Sequence, residues 1–126
     1  MAARFDGFVP GRYSLDAIGA GGFRFAEMSH KGSIIATPAG IRIWPVARFS
    51  EVTIESLQPV LDEADAIDFL LIGTGADIAF IPPALRDPLK QAGIAVEGMA
   101  TGAAARTYNV LVAEDRRVAA ALIAIE

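Results

Sequence analysis

Residues 69–73, Phe-Leu-Leu-Ile-Gly, are apolar at every position, and this run constrains the fold more than any other stretch of the chain. A strand with one wet face alternates apolar and polar side chains. An unbroken apolar run is expected of a strand buried on both faces of a parallel sheet. Downstream, Pro82-Pro83 opens a helical segment reaching about Ala92, Gly93 closes it, and residues 94–99 (IAVEGM) form the next strand. Strand, helix and strand of this length make a βαβ unit, so 69–73 and 94–98 are predicted to be adjacent parallel strands joined by a right-handed crossover. Pro88 is awkward inside that helix, because it lacks an N–H and crowds the preceding turn. Either the helix kinks there, or it restarts with Asp87 as cap and Pro88 at its first position.

The first half of the chain reads differently. Residues 13–20, 23–28, 33–37 and 41–44 form short extended runs separated by Gly-rich or Pro-Ala-Gly turns, with His30-Lys31-Gly32 as one of these turns. Phe23 and Phe25 share one face of their strand and Arg24 takes the other. Thr53 caps a predicted helix over 54–64, with Leu57, Val60, Leu61 and Ala64 on its apolar face. Thr101 caps another, over about 103–114, whose stripe of Ala104, Tyr108, Leu111 and Val112 predicts buried Tyr108 and Leu111 and an accessible Arg106. Residues 117–125 form the last strand. The whole is one α/β domain, 1–126, with 1–12 as an N-terminal extension. It has a central mixed sheet, helices packed on it and an N-terminal antiparallel β-ribbon as an extra layer, a three-layer domain.

Charge and residue usage narrow the chemistry. Nine arginines and two lysines are scattered singly apart from Arg116-Arg117, and the net charge is −4, so the basic stripe of a nucleic-acid binder is missing. The absence of cysteine excludes disulfides, thiolate nucleophiles and cysteine metal sites, and fits a cytoplasmic location. The N-terminal MAARFDGFVPG has no apolar signal region. The longest apolar run, Val118 to Ile125, is far short of the ~20 residues of a membrane span. His30 is the only histidine and has no patterned partner, so neither a triad nor a metal centre is expected. No cofactor is expected.

Three motifs remain. Gly19-Ala20-Gly21-Gly22 lies between two strands and reads as a tight turn rather than a phosphate loop, which needs a helix after its glycines. Gly73, Thr74 and Gly75 end the buried strand, where open α/β sheets bind ligands; the plainer reading of these glycines is a turn that needs positive φ. Thr101 follows the neighbouring strand, so Gly73–Gly75 and Thr101 flank one crevice if the strands are adjacent. The first N–H groups of the third helix would point into it, and Arg106 and Asn109 share a helix face nearby. A small anion or carboxylate pocket is one reading. In the other, Thr101 is a simple cap and Arg106 a solvated charge. Trp44-Pro45 is likewise open between a core tryptophan and an exposed anchor for a partner.

Taken together and in order, Gly21-Gly22-Phe23-Arg24-Phe25, Trp44-Pro45, Ile72-Gly73-Thr74-Gly75 and Thr101 through Asn109 resemble a family of small uncharacterised α/β domains related to mitochondrial complex I assembly factor 3. The resemblance covers about residues 14–124. It implies a three-layer domain around a mixed five-stranded sheet. For the mitochondrial relatives it implies a non-catalytic role in building respiratory NADH dehydrogenase with a partner protein. Family members often carry a cysteine near the start of the third helix, where this chain has Ala103-Ala104-Ala105, so no thiol chemistry carries over. Two functions follow as expectations. One is a protein-interaction or assembly domain, not an enzyme, with a protein partner. The other is a small-molecule or anion-binding domain or enzyme using Gly73, Thr74, Gly75, Thr101, Arg106 and Asn109.

Overall fold

A computed structural model describes residues 5–126. Nine strands and three α-helices follow in chain order: β1 (Phe8–Pro10), β2 (Leu15–Gly19), β3 (Gly22–Phe25), β4 (Met28–Lys31), β5 (Ile34–Thr37), β6 (Gly40–Ile43), α1 (Gln58–Leu61), β7 (Phe69–Gly73), α2 (Pro83–Gln91), β8 (Ala95–Met99), α3 (Thr101–Ala113) and β9 (Val118–Leu122). A six-stranded mixed sheet has the order β1-β6-β5-β9-β7-β8, and a separate three-stranded antiparallel ribbon has the order β2-β3-β4. The predicted α/β class and ribbon layer are both present. The sheet has six strands rather than five, because Phe8–Pro10, inside the stretch read as an extension, pairs antiparallel with β6.

Strands β7 and β8 pair in parallel, Phe69 opposite Ala95 and Gly73 opposite Met99, as the apolar run predicts. Strand β9 lies between β5 and β7, antiparallel to the first and parallel to the second. Side chains alternate across the buried sheet. Ile35, Leu70, Ile72, Ala119 and Ala121 face a core with Trp44, Leu57, Val60, Leu85 and Leu89. Ile34, Ala36, Leu71, Ala120 and Leu122 face a second core with Phe23, Phe25, Met28, Ala104 and Tyr108. The sheet therefore separates two apolar layers, one closed by α1 and α2, the other by α3 and the ribbon.

Trp44 is a core residue. It is 2% exposed, and its indole N–H donates to the Ser56 carbonyl at 2.9 Å. Gly19–Gly22 forms the β2–β3 turn, with Ala20 and Gly21 both at positive φ.

Several local expectations are corrected. His30 and Lys31 are strand residues, paired with Phe23 and Gly22, and the turn before them falls at Ala26-Glu27. Both turn residues have positive φ, 50° and 63°, the two-residue geometry that matches strand twist, here built without glycine or asparagine. The predicted helix over 54–64 is broken. A 3-10 turn over Glu55–Leu57 leads into four α-helical residues, and a further 3-10 turn covers Ala64–Ala66. The Thr53 hydroxyl does accept the Ser56 N–H at 3.1 Å. Pro88 neither restarts nor ends α2, which runs through it at the cost of one intrahelical bond. Leu111 and Val112 are only half-buried, packed at the margin of the second core that Tyr108 enters fully.

Candidate functional site

The parallel pairing of β7 and β8 brings the ends of both strands and the start of α3 together. Thr101 is fully buried, and it is the first residue of α3 rather than its cap, a position held by Ala100. Its hydroxyl is turned into the sheet, donating to the Ile123 carbonyl at 2.7 Å and accepting the Gly75 N–H at 3.0 Å. The Thr101 N–H donates to the Gly75 carbonyl at 2.8 Å. The two flanks of the anticipated crevice are thus bonded directly to each other. Gly73 is glycine because of this closeness: a Cβ there would lie 2.8 Å from Leu122 Cδ2, 2.9 Å from Thr101 Oγ1 and 3.0 Å from Thr101 Cα.

Thr74 is also buried, and its hydroxyl organises the loop that follows. It donates to the Asp77 carbonyl at 2.7 Å and accepts the Ala79 N–H at 3.0 Å. Its own N–H donates to the Met99 carbonyl at 2.8 Å. Residues 73–75 and 98–102 include no titratable side chain. A general acid or base has no candidate within them.

Arg106 and Asn109 go separate ways. Arg106 is exposed, and its Nη1 lies 3.7 Å from where a Cβ on Gly102 would stand, so the side chain folds back toward the first turn of α3. Asn109 faces the ribbon. Its Oδ1 accepts the Leu15 N–H at 2.7 Å and its Nδ2 donates to the Leu15 carbonyl at 2.8 Å. The carboxamide takes the place of a neighbouring strand along the free edge of β2, and this spends both of its polar atoms.

Next to Asn109 in the chain, Tyr108 is fully buried, and its hydroxyl has no hydrogen-bond partner among the described residues. Burial pushes its pKa up to about 12, against the opposing pull of the nearby Arg12 guanidinium. Arg12 itself donates to the Arg116 carbonyl at 2.5 Å and lies 3.4 Å from Asp115, beside the C-terminal end of α3. The exposed face of the ribbon carries a shallow depression of about 410 Å³ lined by Arg24, Ser29, His30 and Lys31 among others. Burial lowers the pKa of His30. No carboxylate lines the depression, so His30 has no orienting partner there.

Sequence reasoning missed the loop between β7 and α2. Ile78 is 70% exposed and Phe80 78%, the two most exposed large apolar side chains among the described residues. The signal was the apolar stretch Ile78–Ile81 lying between Gly75 and Pro82-Pro83, outside any helix or strand period. Among the described residues no cluster of three metal-binding side chains occurs, and no helix is long and apolar enough to cross a membrane.

Known proteins resemble this chain over most of its length. A solved structure described as an outer membrane protein of Bartonella henselae is 51% identical, superposes with a TM-score of 0.89, and is matched over 93% of this chain and 98% of its own. An uncharacterised protein of Rhodobacter capsulatus is 38% identical over 123 residues, 98% of this chain and 93% of its own. NADH dehydrogenase [ubiquinone] 1 alpha subcomplex assembly factor 3 of Xenopus tropicalis is 35% identical over 92 residues. That match takes in 73% of this chain but only 50% of the relative, so the chain spans about half of the assembly factor's length. With residues 15–123 matching its family model, the chain belongs to the family described as protein of unknown function (DUF498/DUF598).

Proposed function

We propose that this chain is a non-catalytic assembly domain that binds a protein partner in the cytoplasm of a bacterium, in the course of building a respiratory NADH dehydrogenase. The observation that carries the reading is the state of the strand ends. Where an α/β sheet offers its ligand crevice, the Thr74 and Thr101 hydroxyls are spent on the protein's own backbone, and residues 73–75 and 98–102 carry no titratable side chain. The relatives named as assembly factors support the respiratory complex as the object. Deleting the gene in its own organism tests the reading. Assembled NADH dehydrogenase, followed on native gels and by NADH oxidation in membranes, is expected to fall several-fold and to return with the wild-type gene. Unchanged levels in the deletion strain overturn it.

One observation favours a second reading, a small-molecule domain that holds an anion. Arg106 folds back toward Gly102, where the helix cannot itself bond the N–H groups of its first turn. On this reading phosphate raises the melting temperature of the wild type more than that of Arg106→Ala at matched ionic strength. Equal shifts remove it.

A further inference from the structure

We propose that the β7–α2 loop is a docking knob for a folded protein partner, which receives Ile78 and Phe80 in an apolar cleft with a positively charged rim. This names the surface used in the assembly reading above and rests on that reading for one of its tests.

The loop is held in shape by the protein itself. The Thr74 hydroxyl ties Asp77 and Ala79 together, as described above. Ile81 is buried against β8, its Cδ1 2.9 Å and the Ala79 carbonyl oxygen 3.1 Å from where a Cβ on Gly98 would stand. Pro82 and Pro83 fix the exit. Ala79 and Ile81 therefore anchor the segment while Ile78 and Phe80, between and beside them, face solvent. A pair of apolar side chains on a pre-ordered loop binds with a smaller ordering cost than the same pair on a flexible one. Aromatic anchors of this kind carry much of the energy of protein interfaces.

Shape and charge select the occupant. Ile78 and Phe80 stand mostly in solvent, so neither sits in a cavity that would wall in a small molecule, whereas a partner protein can supply a cleft. From Thr74 to Leu85 the only charged residue is Asp77. Apolar segments that dock on anionic bilayers flank their tips with free Lys or Arg, whereas here the first basic residue after the loop, Arg86, donates from Nη1 to the Val96 carbonyl at 3.2 Å and is followed by Asp87. A second copy of the chain docked with this loop on the two-fold axis would set knob against knob and Asp77 against Asp77. A separate protein with a cationic rim matches both the shape and the acid.

The deletion strain described above is complemented with wild type, Phe80→Leu, Phe80→Asp or Ile78→Asp. Both positions are exposed, so the melting temperatures of the purified variants are expected to match wild type. Wild type and Phe80→Leu should restore the enzyme. The Asp variants should fail, since each sets a charge where the partner's apolar cleft receives an anchor side chain, which weakens a complex on the order of 30-fold. Full rescue by Phe80→Asp overturns the docking surface and leaves the assembly reading intact. In parallel, a photoreactive phenylalanine analogue is placed at position 80, or at Ile43 on another surface, in living cells. A discrete adduct to a different protein at 80, and none at 43, is expected. This arm judges the loop even if deletion has no effect on the enzyme. No adduct at 80, an adduct to a second copy of the chain, or the same adduct at both positions overturns the proposal. So does flotation of the purified protein with phosphatidylglycerol vesicles that is lost in Phe80→Asp.

Discussion

Replacing Tyr108 with alanine is expected to cost about 3–5 kcal/mol of stability, the range for removing a large aromatic from a core. The side chain is fully buried in the layer shared by Phe23, Phe25, Leu71 and Leu122, and that layer has α3 and the ribbon on one side and the sheet on the other. None of these elements can move in without losing its own pairing, so the cavity persists. Phenylalanine at the same position should behave in the opposite way. The hydroxyl has no partner among the described residues, so its removal is expected to be neutral or mildly stabilising. The two variants also separate at high pH. Folding raises the tyrosine pKa from 10.0 to about 12, so the folded state holds its phenolic proton more tightly than the unfolded chain. The stability tied to this proton is complete below pH ~10 and is lost as pH rises toward ~12, where the unfolded chain has already released it. At about 1.4 kcal/mol per pH unit, that loss is on the order of 3 kcal/mol. Urea titrations from pH 9 to 12 should show the fall in wild type and a shallower fall in Tyr108→Phe. Parallel curves would show that the buried phenol does not titrate with unfolding.

The second large effect is expected from Thr101→Val, which keeps the shape and removes only the hydroxyl. Two buried or half-buried backbone groups then lose their partner, the Ile123 carbonyl and the Gly75 N–H. Each such group costs ~1–3 kcal/mol when left unpaired, so about 2–4 kcal/mol in total is expected after local relaxation. Thr101→Ser, which retains the hydroxyl and gives up one methyl, should cost clearly less. Urea midpoints of the two variants measure this directly. Equal losses would mean that packing around the methyl, and not the hydroxyl, holds β7, β9 and α3 together.

These residues also show what the sequence made legible. The β7–α2–β8 unit was readable because a strand covered on both faces has nowhere to put a polar side chain, and Phe69–Gly73 has none. The position of Thr101 beside Gly75 followed from that pairing. The use of its hydroxyl did not, because a threonine at a helix start looks the same whether it caps the helix or turns inward. Asn109 pairs with Leu15 across 94 residues, and no local pattern announces such a contact. The ribbon's second turn escaped because Ala26 and Glu27 adopt a conformation usually signalled by glycine or asparagine. Strand β1 is three residues long and contains Pro10, which left no alternation to detect. Ile78 and Phe80 were passed over because apolar residues near a buried strand are ordinarily counted toward the core.

The placement of β9 carries a consequence for synthesis. The ribosome makes β5 and β7 well before Val118–Leu122, yet those last residues are the common neighbour of both strands. Until they emerge, the six-stranded sheet exists only as two open pieces, an antiparallel β1–β6–β5 and a parallel β7–β8, each with a bare inner edge. Ile34 must then find Leu122, so closure joins points far apart in the chain, the kind of event that slows folding. During that interval the unpaired edges of β5 and β7 are the places where a nascent chain is most open to chaperones, and to unwanted pairing with its neighbours on the same message.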